Sequence, residues 1–173
     1  LKLKKQTLII PSSKTFTLKK DQSVILPFNL SMEGALLKYS TTQLLAKVEE
    51  KNAVHYFFFA PEGLRTEYSF DKSTLSSGKE FYTPKPGLKS TFSITVKNGK
   101  TLKITTLTRQ QALNTTKVNN HILITEATVL PEKEQCTLLS LGKTQISYAL
   151  YTANKGWKEE TIEVQPVDVK ADW

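Results

Sequence analysis

Polar and apolar side chains alternate with period two along most of this chain, and short runs of Gly, Pro, Asn, Asp and Ser interrupt the alternation. That is the pattern of half-buried β-strands separated by turns. Its strongest instance is Val54–Asp71, where two aromatic-rich runs flank Pro61-Glu62-Gly63. Pro61 presets the backbone for a type I turn and Gly63 accepts the left-handed conformation that follows, so the spacing predicts a β-hairpin with a three-residue loop. In that register Tyr56 lies opposite Tyr68, and Val54, Tyr56, Phe58, Leu64, Tyr68 and Phe70 share one core-facing side. The reverse side carries His55, Phe57, Phe59, Arg65, Glu67 and Ser69, too aromatic for solvent and too charged for a second core.

The same reasoning extends in both directions. Leu1–Ile10 turns from basic to apolar before a break at Pro11-Ser12-Ser13, and Phe16 and Leu18 alternate with Thr15 and Thr17 as in a strand. In Val24–Leu30, Pro27 has no N–H for a ladder, which predicts an edge position or a bulge. Met32-Glu33-Gly34 is a turn signal. The apolar phase of Leu37 and Tyr39 changes to that of Leu44, Ala46 and Val48 after Ser40-Thr41-Thr42, which predicts a bulge or a strand changing sheets. Lys72–Lys89, rich in Ser, Gly and Pro, reads as a surface loop or hinge.

Beyond it, a loop Lys97-Asn98-Gly99 joins Thr91–Val96 to Thr101–Leu107. It sets Phe92 against Ile104 and Ile94 against Leu102, whereas a two-residue turn would oppose apolar to polar positions. Thr108 and Gln111 are spaced as a capping box that starts a short helix, Arg109–Leu113. His121–Leu130, Cys136–Leu141, Gln145–Tyr151 and Trp157–Val164 complete the strands, the last two joined by Asn154-Lys155-Gly156. The expected fold is all-β: an antiparallel β-sandwich, jelly-roll or Ig-like, with one short helix. At 173 residues the chain is long enough to bury a core without staples, and residues 1–173 read as one domain, with 131–173 the segment that would begin a second β subdomain. Leu1 and Trp173 as end residues suggest an excerpt of a longer protein.

Composition narrows the chemistry. The net charge is +8, yet Arg65 and Arg109 are the only arginines among 24 basic residues, and the lysines are dispersed from Lys2 to Lys170. Nucleic-acid reading favours clustered Arg, so solvated, edge-protecting lysines are the expectation, with no nucleic-acid partner. No membrane segment is expected. Cys136 is the sole cysteine and excludes an internal disulfide. With only His55 and His121 beside it, no zinc-like spacing exists, so neither metal nor cofactor is expected. Glu49/Glu50 and Glu159/Glu160 are adjacent pairs whose side chains point to opposite faces of a strand, which does not suit a pair flanking one glycosidic bond. No catalytic residue is assigned. Tyr82, Tyr151 and Trp157 lie at or near predicted loops and are the candidate sugar-stacking rings.

Three runs carry a resemblance: ILPFNLSMEGALLKYSTTQLLAKV (Ile25–Val48), YFFFAPEG (Tyr56–Gly63) and LKITTLTRQQALN (Leu102–Asn114). Together, over about Val24 to Leu130, they resemble the β-rich segments outside the catalytic barrel of bacterial, Bacteroides-type β-galactosidases of glycoside hydrolase family 35. The resemblance implies a noncatalytic accessory β-sandwich that packs on the catalytic barrel of the same polypeptide, supports carbohydrate degradation, and lies in the periplasm or outside the cell. Nothing in the chain resembles the barrel itself. On this reading Phe57, Phe59, Arg65 and Glu67 form the interdomain contact. The alternative is an independent carbohydrate-binding or adhesion module.

Overall fold

The computed structural model describes residues 2–3, 6–7, 9–12, 17–133 and 135–165. The chain divides into two compact units, Leu1–Ala112 and Leu113–Trp173, a division that falls earlier than residue 131. Both units are built from β-strands, and the expected all-β sandwich is the architecture of the first.

The first unit contains β1 (Lys2–Leu3), β2 (Gln6–Thr7), β3 (Phe28–Met32), β4 (Ala35–Ser40), β5 (Gln43–Glu49), β6 (Ala53–Phe59) and β7 (Tyr68–Phe70). After a 3₁₀ turn at Lys72–Thr74 come β8 (Leu75–Ser77), β9 (Phe81–Tyr82), β10 (Thr91–Val96) and β11 (Thr101–Leu107). The order β5-β6-β11-β10-β8 makes a five-stranded sheet and β3-β4-β7-β9 a four-stranded one. Their inner faces share one core: Met32, Leu37, Tyr68 and Phe70 from the smaller sheet meet Tyr56, Phe58, Ile94, Leu102 and Ile104 from the larger. Phe58 and Tyr68 touch edge to face across it, with centroids 5.3 Å apart.

Several expectations hold in detail. Thr91–Val96 and Thr101–Leu107 pair with Phe92 opposite Ile104 and Ile94 opposite Leu102, and Gly99 takes φ +87° in the loop. Ser40-Thr41-Thr42 is the point at which the chain leaves the small sheet (β4) for the large one (β5). Pro27 sits just before β3, an edge strand, where its carbonyl accepts from Ser40 N at 3.1 Å. The capping box forms: Gln111 N donates to Thr108 Oγ1 (3.1 Å), Thr108 N donates to Gln111 Oε1 (2.9 Å), and α1 (Arg109–Leu113) follows.

The Val54–Asp71 hairpin does not form. Its turn is present, with Leu64 N donating to Pro61 O at 3.3 Å and Gly63 at φ +78°. The flanking strands nevertheless enter different sheets: β6 is taken on its two edges by β5 and β11, and β7 by β4 and β9. Residues 60–67 form an arch instead, tied to the other crossing. Thr41 Oγ1 donates to Arg65 O (2.7 Å), Ser40 Oγ to Glu67 O (2.9 Å), and Glu67 N to Thr41 Oγ1 (2.7 Å). Val54, Tyr56, Phe58, Leu64, Tyr68 and Phe70 are all buried as expected, but Val54, Tyr56 and Phe58 come from one sheet, Tyr68 and Phe70 from the other, and Leu64 from the arch. A second difference is that β6 and β11 run parallel, so the large sheet is mixed. Lys72–Lys89 supplies β8 and β9, an edge strand to each sheet, where a loop was expected. In the Thr15–Leu18 alternation, residues 13–16 lie outside the described residues, and Thr17 and Leu18 are not in a strand.

The second unit contains β12 (Thr115–Val118), β13 (His121–Thr125), β14 (Thr128–Pro131), β15 (Cys136–Leu139), β16 (Gln145–Thr152) and β17 (Gly156–Glu163). β12-β13-β16-β17 is an antiparallel sheet, and β14-β15 is a separate hairpin that holds Cys136, half-buried and free. The expected strand His121–Leu130 is thus two strands, bent where Ala127 N donates to Thr125 Oγ1 at 3.2 Å. β12 was not anticipated, although Asn119 at φ +52° is a recognisable hairpin residue.

Candidate functional site

The aromatic candidates fall into different units. Tyr82 is half-buried on β9 of the first unit, its ring stacked on Phe92 (4.0 Å, 12°) and its hydroxyl accepting from Lys79 N at 2.7 Å. Tyr151 and Trp157 are cross-strand partners in β16 and β17 of the second unit, with centroids 5.3 Å apart. Tyr151 is buried and Trp157 half-buried. These rings pack against neighbours within their own units.

The four candidate contact residues are dispersed by the arch. Phe57 and Phe59 lie on β6 with side chains on the face opposite the core; Phe57 is fully buried, stacked on His55 at 4.3 Å, and Phe59 is half-buried. Arg65 is exposed in the arch. Glu67, 2% exposed, belongs to the smaller sheet's side, where its carboxylate accepts from Tyr39 OH (2.5 Å) and from Ser12 N (2.7 Å). Burial, and then that carboxylate, hold the Tyr39 phenol above its usual range.

A second polar chain runs across the outer face of the large sheet. Glu50, nearly buried, takes Lys103 Nζ at 2.6 Å and lies 3.7 Å from His55 Nδ1. On the far side of the ring His55 Nε2 is 2.7 Å from Thr105 Oγ1, which is 2.6 Å from Thr91 Oγ1. A carboxylate facing Nδ1 favours the proton there, so Thr105 donates to Nε2 and accepts from Thr91. Burial is the main cause that lowers the His55 pKa to about 4, against the pull of Glu50. Acid, imidazole and hydroxyl stand in the order of a nucleophilic triad, but Thr105 is fully buried between the strands and no substrate atom reaches it. The arrangement is a structural tie. Glu49, its neighbour, stands opposite Val54 and pairs with Lys47 at 2.8 Å, on the other face of the sheet from Glu50.

Two of the surface recesses bear on the candidate residues. The larger, about 610 Å³, lies on the second unit and is lined by Glu126, Lys143, Ser147, Tyr148, Glu160 and Thr161 among others. Several of its polar groups are paired: Lys143 with Glu126 (3.1 Å), Ser147 Oγ with Thr161 Oγ1 (2.8 Å), and Tyr148 with Glu160, which Lys158 also holds at 2.6 Å. Glu159 and Glu160 stand opposite Ala149 and Tyr148, on alternate faces of the sheet.

The smaller, about 380 Å³, lies in the first unit where the 19–24 segment passes the end of β6, and Phe59 is its aromatic wall. Gln43, the cross-strand partner of Phe59, and Arg109, the first residue of α1, complete the rim with Lys20 and Asp21. Sequence reasoning named Phe59 but not these partners, which lie far from it along the chain. Among the described residues no cluster of three or more His, Cys, Asp or Glu is arranged to hold a metal ion, and no helix is long and apolar enough to cross a membrane. Comparison of the chain with protein-family models and with curated proteins finds no match.

Proposed function

We propose that this chain is a noncatalytic accessory β-sandwich of a β-galactosidase-like glycoside hydrolase, acting by contact with the catalytic barrel of its own polypeptide in carbohydrate degradation outside the cytoplasm. The resemblance over Val24–Leu130 supplies the family. The observation that carries the noncatalytic part is the use made of the acidic groups in the sheets: Glu50 is tied to Lys103 and His55, Glu67 to Tyr39 and Ser12, and Glu160 to Lys158 and Tyr148. Each serves the scaffold, and none stands opposite another across an open cleft in the way glycoside hydrolysis requires.

The test is to express the upstream reading frame as a separate barrel and add the 173-residue chain. A rise in the barrel's Tm on mixing is expected, with no turnover of a chromogenic β-galactoside by the chain alone. Turnover by the chain, or a barrel indifferent to its presence, overturns the proposal. The second reading, a saccharide-binding module, is favoured by one feature, the Phe59 recess with its partly open polar rim.

A further inference from the structure

In the Phe59 recess some donors and acceptors left over from the fold stand beside an aromatic ring. Gln43, Lys20, Asp21 and Arg109 line it, and none of their side chains makes a hydrogen bond or ion pair among the described residues. The frame around them is fixed. Gln22 accepts from Lys19 N through Oε1 (3.1 Å) and donates through Nε2 to Glu62 O (2.9 Å), which pins the 19–24 segment to the Pro61-Glu62-Gly63 turn. Lys19 Nζ closes the same junction on Glu62 at 2.8 Å. In the larger recess of the second unit the one lining cation, Lys143, is already paired with Glu126, so that groove offers an anion no open positive charge.

The chemistry of the open groups is selective. A half-buried phenyl ring presents a flat apolar face to polarised C–H groups, an amide and a carboxylate beside it exchange hydrogen bonds with vicinal hydroxyls, and a guanidinium takes a carboxylate in bidentate fashion. Lys19, Lys20 and Arg109 stand against Asp21 and Glu62, whose carboxyl Lys19 first and then Arg109 hold low, so the recess carries one surplus positive charge. Its volume lies near the lower end of the ~300–1,000 Å³ range of ligand sites, sized for a single sugar unit.

From ring, amide and surplus cation together we infer that this recess binds one pyranose bearing an anionic substituent, such as a uronic acid residue. Phe59 stacks on the ring, Gln43 and Asp21 engage hydroxyls, and Arg109 with Lys20 takes the anion. The site stands whether or not the chain docks on a barrel, because all its residues belong to the first unit.

The experiment is a ¹H–¹⁵N NMR titration of the 173-residue chain with galacturonate, with galactose and sodium acetate as separate probes. Galacturonate is expected to shift amides of residues 19–24, 59, 60, 62 and 109, with at least tenfold weaker binding by galactose and by acetate. Arg109→Gln and Phe59→Leu, which keeps apolar bulk while removing the aromatic face, should each weaken galacturonate binding about tenfold while the chain stays fully folded at the titration temperature. No shift at millimolar galacturonate, equal binding of galactose or acetate, or full affinity in both variants overturns the site. The barrel-mixing result is independent of all of these.

Discussion

His55 Nε2 lies 2.7 Å from Thr105 Oγ1 across the parallel seam between β6 and β11. Burial at that seam holds the ring neutral in the fold, with its pKa at about 4 against 6.5 for a free imidazole. Between those values the unfolded chain binds a proton that the fold refuses, so stability is unaffected above about pH 7 and falls as the pH drops from 6.5 towards 4. The loss amounts to about 3 kcal/mol from a shift of this size. Urea unfolding at pH 7 and pH 4.5 measures it, and His55→Gln should show a shallower acid slope than the parent. An unchanged slope would mean that the imidazole ionises in place.

Phe58 and Phe59 are adjacent and occupy opposite faces of β6. Phe58 is fully buried against Tyr68, whereas Phe59 is half-buried in the recess. Phe58→Ala should cost about 3–5 kcal/mol by loss of buried area and creation of a cavity. Phe59→Leu should cost under about 1.5 kcal/mol. Denaturant midpoints with a common m-value decide this, and equal losses would contradict the assigned faces.

Gly78 stands at φ +121°, where a Cβ would come 2.8 Å from Ile94 Cγ2 and 3.0 Å from the Tyr82 hydroxyl. Gly78→Ala combines a strained backbone with a core clash, and a loss of about 1–3 kcal/mol is expected. Thermal unfolding tests it. The near-ultraviolet signal of the stacked Tyr82 should change as well, because its hydroxyl is one of the atoms displaced.

Ser69 Oγ is buried and makes no hydrogen bond among the described residues. Ser69→Ala removes a desolvated hydroxyl that has no partner, so stability should hold or rise by up to about 1 kcal/mol. Tyr68→Phe is the contrast. That change leaves Thr106 Oγ1 without the hydroxyl now 2.7 Å away, and a loss of about 1 kcal/mol or more is expected. A destabilised Ser69→Ala in calorimetry would mean that the hydroxyl has a partner after all.

What the residue pattern revealed and what it concealed divide along the reach of each signal. The Thr108/Gln111 box and the Lys97-Asn98-Gly99 loop are local, and both formed with the expected partners. The break in phase at Ser40-Thr41-Thr42 is local too, and it marked a change of sheet. At Pro61-Glu62-Gly63 the turn was equally legible, but a turn does not dictate whether its flanks pair. That choice went to β5, β11, β4 and β9, together with the Ser40 and Thr41 hydroxyls on the arch, all outside the segment. Likewise Phe59 was visible as an exposed-face aromatic, while Gln43, Lys20 and Arg109 join it only through tertiary folding.

The two side-by-side crossings have a consequence for how the first unit is made. The large sheet draws on residues 43–59, 75–77 and 91–107, and the small one on 28–40, 68–70 and 81–82, so each is threaded through gaps in the other. Neither layer exists as a contiguous stretch that a ribosome finishes first. Folding must wait for β11, whose parallel pairing with β6 closes the longest of these loops, and the expected behaviour is slow, all-or-none formation with no stable half.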